Sequence, residues 1–350
     1  MVASTVSPDW LEWVGALAGG ETPASLTQRL DADKFACLID AQPGMLVPRR
    51  FVNAVSMRRG VDQSAHAWNP HCVRCPPGEV PAGLHGRGEW SNGFDLAAST
   101  TAWVRSPLRG DWRPFWLSEE LAERCAAVRT SGVEKVAFTD AERDALLSAG
   151  VLVPANQLEA SEKSWEAKAV KACTRFRQRG YCEADGLIHP FHVGELRRYY
   201  RRMIRRGRVA LGDYQSARRY VAHNEPVARF FHLQLTAAVT QLVGEAVKPS
   251  YVYFASYQSG AELRRHTDRE QCEYSVTFCL DYAPEPDGPT PWPLQLDTSQ
   301  GRVTIRQRLG DALVYRGREL PHSRERLPEG HTSTSIFFHY VRADFSGILS

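Results

Sequence analysis

From Ser250 onward the chain alternates short apolar-rich runs with turn residues: YVYFASYQ, EYSVTFCLDY, WPLQLD, RVTIRQRL, DALVYRG, HSRERL and TSTSIFFHYV. β-branched and aromatic residues dominate these runs, and Pro, Gly and Asp punctuate them. Seven or eight short strands without long helices between them predict an antiparallel sandwich, because parallel strands need long crossovers. Just upstream, FRQRGYCEADGLIHPFHVGELRRYYRRMIRRG reads as helix, strand, turn and helix.

The first half has a different texture. LTQRLDADKFACLIDAQPGMLVP (26–48) and KVAFTDAERDALLSAGVLVP (135–154) each run from an aspartate through Leu and Ala at helical spacing into Gly-x-Leu-Val-Pro. In each, the aspartate reads as a helix N-cap and the glycine as the stop before a short strand. The pair fits either a duplicated winged-helix-like unit or two unrelated helices that end in similar turns. Between them lies a stretch rich in Pro, Gly, Trp and His (66–116) that predicts long loops. The change of texture places the boundary between an accessory domain, 1–165, and a β-rich domain, 166–350.

Composition is ordinary for a globular protein, with 43% hydrophobic residues and a net charge of +3. The local exception is RRYYRRMIRRGR (197–208), with seven arginines in twelve residues. Tyr199, Met203 and Ile204 supply an apolar stripe there, so solvated arginines flanking a buried seam are the plainer reading, and nucleic-acid binding is disfavoured. Asp9 and Glu12 interrupt what would be a secretory leader, and no apolar run reaches the roughly 18 residues of a membrane span. The expectation is a cytoplasmic protein that does not enter a membrane. Eight scattered cysteines suit reduced thiols in that compartment. Cys72-x-x-Cys75 beside His71, with His66 and His85 nearby, is half a zinc site at best; without a second pair, a loop with free thiols is the simpler reading.

The candidate chemistry lies in RRHTDREQCEYSVTF (264–278). Residues i and i+2 of a strand project from one face, so His266 and Asp268 can reach one ion, and His322 in YRGRELPHSRERL can complete the set. Two histidines and a carboxylate on one face of a metal leave positions open, the arrangement that suits non-haem iron(II) and oxygen.

The motif Tyr257-x-x-Gly260-x-x-Leu263-x-x-His266-x-Asp268, followed by Gly310-Asp311-Ala312-Leu313-Val314-Tyr315 and His322, resembles the 2-oxoglutarate and iron(II)-dependent oxygenases, in particular their prolyl 4-hydroxylase-like branch. The resemblance covers about residues 172–345. Within it, the blocks DRxxCEYS, WPLxL, PHxRE and FFHYV look like those of a bacterial and viral group. It implies an α+β fold: a double-stranded β-helix (jelly-roll, cupin-like) catalytic domain with flanking helices, preceded here by the mainly helical, winged-helix-like N-terminal half. Also implied are iron(II), 2-oxoglutarate and O2, with ascorbate as a stimulant, and metal ligation by His266, Asp268 and His322. Because the metal carboxylate is present, hydroxylation, desaturation or demethylation is implied rather than halogenation.

One departure stands out. The family places an arginine or lysine about ten residues after the distal histidine to hold the far carboxylate of 2-oxoglutarate, and this chain has His331, Thr332 and Ser333 there. If residues 328–330 form a hairpin turn, 324 pairs near 333, and Arg324 becomes the replacement clamp, supported by Tyr257 and by Ser333, Thr332 or His331. His331 alone is the alternative, and an ion pair of Arg324 with Glu325 or Glu319 is the structural one. The expected substrate is an amino-acid side chain in a peptide or protein. A free amino acid, a specialised metabolite and, from another class, a metal-bound oxygen- or 2-oxoglutarate-sensing regulator that binds nucleic acid are the alternatives.

Overall fold

A computed structural model describes residues 66–84, 93–154 and 158–349. The winged-helix-like segment at 26–48 and His85 lie outside them. Four strands build one wall of a sandwich: β9 (Val247–Tyr257), β11 (Tyr274–Ala283), β14 (Ala312–Tyr315) and β16 (Thr332–Arg342). The other wall is β10 (Leu263–His266), β12 (Leu294–Thr298), β13 (Gly301–Ile305) and β15 (His322–Arg324). Hydrogen-bonded order is β14-β11-β16-β9 in the first wall and β10-β15-β12-β13 in the second, all antiparallel. The chain therefore switches sheet repeatedly along its course, which is the double-stranded β-helix, or jelly roll, expected from the sequence.

The larger wall extends to seven strands through β6 (Tyr181–Ala184) beside β14, and β7 (Ala210–Leu211) and β8 (Arg219–His223) beside β9. Its outer face carries Val252, Phe254, Val276, Phe278, Val314, Ile336 and Phe338, which share one buried cluster with Phe230, Leu235 and Ala238 of a helix. That explains why EYSVTFCLDY reads as a nearly continuous apolar run: β11 is covered on both faces.

The covering helices have clear local causes. α5 (Pro226–Val243) starts at Glu225, whose carboxylate accepts from the Val227 and Ala228 amides and from the Tyr199 and Tyr200 hydroxyls. Pro226 presets the first turn and Gly244, at φ 76°, ends it. α4 (Pro190–Arg205) buries Leu196, Tyr199, Tyr200 and Met203. Here the arginine cluster has a structural role. The β11–β16 register shifts between Cys279 and Asp281, so that Asp281 turns outward to Arg197 and Arg201 while Tyr282 pairs with Ser333.

In the first half, β2 (Cys72–Cys75), β3 (Thr101–Arg105) and β4 (Trp112–Trp116) form a three-stranded sheet, and β1 (His66–Trp68) pairs with β5 (Leu152–Pro154). The region 66–116, expected to be mostly loop, thus contains four strands. Helices α1 (Glu119–Ser131) and α2 (Asp140–Ala149) separate β4 from β5. The cap of α2 is Thr139 rather than the expected Asp140: its side chain accepts from the Glu142 amide, and Glu142 answers to the Thr139 amide. Gly150 ends the helix in the left-handed region, as its place in the motif implies. Helix α3 (Leu158–Arg179) runs through residue 165, and one apolar cluster extends from Cys72 to Tyr340. Cys72 and Cys75 are both buried and three apart on one strand, so their side chains leave opposite faces. No group of metal-ligating side chains among the described residues includes them. Nor is any described helix long and apolar enough to cross a membrane.

Candidate metal centre and the interior behind it

His266 ends β10 and His322 begins β15, directly opposite each other in the ladder. Asp268, two residues beyond His266, is fixed by its amide donating to the Gly317 carbonyl at 2.9 Å. The three side chains converge: Asp268 Oδ1 lies 3.7 Å from His266 Nε2 and 3.5 Å from His322 Nε2. Their potential ligand atoms all fall within 4.8 Å of one another.

What the remaining atoms do is equally informative. His266 Nδ1 is 2.8 Å from the Arg264 carbonyl and His322 Nδ1 is 3.0 Å from the Leu320 carbonyl. A carbonyl only accepts, so both rings carry their proton on Nδ1 and turn an Nε2 lone pair inward. Burial pushes His322 below the usual histidine range, with the Asp268 charge opposing, which favours the neutral ring a metal needs. On the carboxylate, Oδ2 accepts from Ser275 Oγ at 2.5 Å, leaving Oδ1 to face the imidazoles. Ser275 Oγ is in turn 3.0 Å from His339 Nδ1. Gly317 makes room for this pair, since a Cβ there would sit 2.3 Å from Asp268 Oδ2 and 2.5 Å from Ser275 Oγ.

A second cluster, Asp268, Cys272 and His339, is less suited to an ion. Its thiol is pushed up to about 12 by burial and shares a hydrogen bond with Tyr251 Oη at 3.1 Å. His339 is already engaged with Ser275.

The first three residues open onto a cavity of about 110 Å³ between the walls, lined further in by Tyr257, Thr277, Leu294 and Tyr315. Alternation puts Ser333 and Ser335 on the same inner face of β16 as Phe337 and His339, which line the cavity. Arg324 shares the inner face of β15 with His322 and is only 6% exposed. Its guanidinium donates to the Trp292 carbonyl at 2.5 Å and lies 4.7 Å over the Trp292 ring. No carboxylate pairs with it among the described residues, so the expected alternative of an ion pair with Glu325 or Glu319 does not form: Glu319 pairs with Arg316. Desolvation lowers its pKa from the ordinary arginine value, the mark of a cation buried without a counter-charge.

The hairpin that led to Arg324 is incorrect. β15 pairs with β10 and β12, whereas β16 pairs with β11 and β9. The turn at 328–331 exists, through the His331 amide and Pro328 carbonyl, but it carries the chain from one wall to the other. Residue 327 stays with the β10 side, exchanging backbone hydrogen bonds with Gly260 and Ala261. Arg324 and Ser333 thus belong to opposing walls instead of neighbouring strands. His331 caps the far end with Nδ1 2.8 Å from Tyr282 Oη, and Tyr257 Oη accepts from Arg219 at 2.8 Å.

Ser275, His339, Gly317, Tyr315 and Trp292 received no role from the sequence reading, although all but Gly317 sit in the motif blocks quoted above. The structure makes His339 the partner of the residue that holds Asp268.

No family model and no curated protein matches the sequence. Solved structures with a similar fold include a prolyl-4-hydroxylase from Pseudomonas putida, 18% identical over 50% of this chain and 98% of that one, with a TM-score of 0.41. A Trichoplax adhaerens prolyl hydroxylase in complex with a hypoxia inducible factor peptide fragment is 13% identical over 53% and 94%, with a TM-score of 0.45. HygX from Streptomyces hygroscopicus, with nickel, 2-oxoglutarate and hygromycin B bound, is 15% identical over 50% and 88%, with a TM-score of 0.40.

Proposed function

We propose that this protein is an iron(II)- and 2-oxoglutarate-dependent dioxygenase that hydroxylates an unactivated C–H bond of an amino-acid side chain in a peptide or protein. One observation carries the reading: a two-imidazole, one-carboxylate set with its free donor atoms converging, and a buried guanidinium without a carboxylate on the same strand, two residues further in. The residues fit the implied groups. Nε2 of His266, Nε2 of His322 and Oδ1 of Asp268 would hold the metal, and Arg324 would take the far carboxylate of 2-oxoglutarate, assisted by Tyr257, Ser333 or His331. When bound, iron(II) with 2-oxoglutarate activates O2 and supplies the oxidising power for hydroxylation as the co-substrate becomes succinate and CO2. The protein's part is to aim both imidazoles, to hold Asp268 through Ser275, and to line the interior with Leu294, Tyr315 and Phe337 so that little water enters.

A peptide-borne side chain suits the open groove of about 760 Å³ beside the cavity, which shares His266 and Leu263 with it. The free amino acid or metabolite remains the alternative substrate class. The test incubates purified protein with iron(II), ascorbate, 2-oxoglutarate and a cellular peptide extract, and follows succinate and any species gaining one oxygen. A peptide oxidised only in the presence of 2-oxoglutarate, and not by His266→Ala, supports the reading. Succinate formation indistinguishable between wild type and His266→Ala refutes the enzyme and leaves the sensor.

A further inference from the structure

The groove beside the cavity is walled by residues 214–218, 260–264, His266 and Arg326. Arg218 immediately precedes β8 and Arg326 follows the exit of β15, yet their guanidinium groups converge. A Cβ placed on Gly260 would lie 3.1 Å from Arg218 Nη1 and 3.2 Å from Arg326 Nη2. Gly260 has φ +76°, so the motif glycine both makes the turn and leaves the space into which the two cations lean.

Nothing among the described residues neutralises the pair. Arg218 donates to the Ser259 carbonyl at 3.0 Å and to no carboxylate. Glu262, the acid lining this groove, is engaged with Arg264 at 3.3 Å. Asp213, the acid of the adjoining loop, is committed to Arg219 and to Tyr253 Oη. Across the mouth Arg269 adds a third cation, its guanidinium donating to Tyr251 Oη and lying 5.3 Å over that ring.

The loop above the pair is built rather than loose. Asp213 Oδ1 accepts from the Gln215 and Ser216 amides, and Gln215 accepts from the buried Arg219. This turn holds Tyr214, 83% exposed, at the rim of both groove and cavity. An aromatic side chain kept in water at the entrance, next to two cations without a counter-charge, is the composition of a recognition surface for an anion carried on an organic group.

We infer that the substrate carries an anionic group, a carboxylate or a phosphate, that is held between Arg218 and Arg326 beneath Tyr214 while the carbon to be oxidised lies toward His266. The inference rests on the oxygenase reading for the reaction but on separate residues for recognition. For a peptide substrate it places an acidic or phosphorylated residue near the hydroxylated one.

The test uses the full chain and three fluorescein-labelled nonapeptide pools, identical except that the central three positions are Glu, phosphoserine or Gln. Fluorescence anisotropy at low salt is read with and without Mn(II) and 2-oxoglutarate. The Glu or phosphoserine pool is expected to bind at least ~10-fold more tightly than the Gln pool, a charge-assisted bidentate contribution. The ratio should fall below about 2-fold in Arg218→Gln/Arg326→Gln and stay unchanged in Arg302→Gln, which removes an equal type of charge elsewhere. Whichever acidic pool wins names the source of the anion, and competition by N-acetylglutamate or free phosphoserine without peptide preference would keep the anion site and move the substrate to a small molecule. Equal binding of all three pools with no such competition, or a preference that survives the double substitution, overturns the inference. Failure of the wild type to bind Mn(II) and 2-oxoglutarate would instead count against the oxygenase reading, with the peptide comparison still deciding the arginine pair.

Discussion

The two ends of the sandwich interior handle charge in opposite ways. At the mouth, Asp268 and the two imidazoles have every outward-facing atom committed, to Ser275, the Arg264 carbonyl and the Leu320 carbonyl, so that the three remaining donor atoms converge, with Tyr315 Oη 3.4 Å from His322 Nε2. At the far end, Arg324 is as buried as a core residue and its charge is met by one carbonyl and one ring. In the proposed reading, the mouth takes the metal and the far end takes an anion. An interior with this polarity suits a ligand that has a chelating head for one end and a carboxylate for the other. A buried cation is tolerated in the meantime because the surrounding fold supplies stability elsewhere.

The largest effect should come from breaking the mouth. Asp268→Ala or His322→Ala is expected to weaken Mn(II) binding by roughly two orders of magnitude or more and to reduce succinate formation to background, as chelation would reversibly in the wild type. Calorimetry with Mn(II) reads the first and coupled succinate detection the second.

Breaking the far end should separate the two. Arg324→Met is expected to lose about 2 to 5 kcal/mol of 2-oxoglutarate affinity, the range for truncating one partner of a buried charged pair, while Mn(II) affinity stays within about 2-fold. Without 2-oxoglutarate the variant should melt no lower than the wild type, because it no longer buries an unneutralised charge. An equal loss of Mn(II) and 2-oxoglutarate affinity would show that the two ends are not independent.

Smaller changes probe how the mouth is aimed. Gly317→Ala puts a methyl 2.3 Å from Asp268 Oδ2 and 2.7 Å from the Cys272 carbonyl, and should cost about 10- to 100-fold in Mn(II) affinity. Ser275→Ala removes the hydrogen bonds to Asp268 Oδ2 and His339 Nδ1 without adding a clash, and should fall at the lower end, about 10-fold. His339→Gln, which keeps an N–H donor for the Ser275 hydroxyl oxygen, should be milder than His339→Leu.

The weakest handle is acid, which acts on the packing outside the site. Burial lowers His192 and His232 to about 3 and His189 to about 4. Each is neutral in the folded protein and titrates near its ordinary value when unfolded. Their contribution is therefore fully present above about pH 6.5 and is lost as pH falls toward the folded values. At pH 5 each such histidine should cost on the order of 2 kcal/mol, read as a fall in Tm between pH 7 and 5.

Much of the β-rich half was legible because its strands are short, apolar and separated by turn residues. All seven runs quoted from the sequence became strands, whereas Asp268 lies just beyond β10, where its bond to the Gly317 carbonyl turns it toward His266 and His322, which face each other across the ladder. The β15–β16 hairpin failed for a physical reason: a short turn between two strands looks the same locally whether the strands pair or cross between walls. The bulge at Leu280 was equally hidden, since it depends on α4 presenting Arg197 and Arg201 to Asp281. Strands β2 to β4 were read as loop because Pro, Gly and Trp obscure their alternation and their stability comes from packing on α4 and α5 residues such as His192 and Phe230.

By itself, the sequence determined the strand-rich half, the glycine stop of α2, and the candidate identity of the three converging side chains, because these rest on alternation, backbone preference and donor chemistry. Only the tertiary structure decided that Arg324 stands without a carboxylate across the interior from Ser333, that Ser275 and His339 brace Asp268, and that Arg218 and Arg326 meet over Gly260. Those relations join residues far apart in the chain through the crossing of two sheets, and charge and burial at such points are properties of the assembled walls rather than of any local pattern.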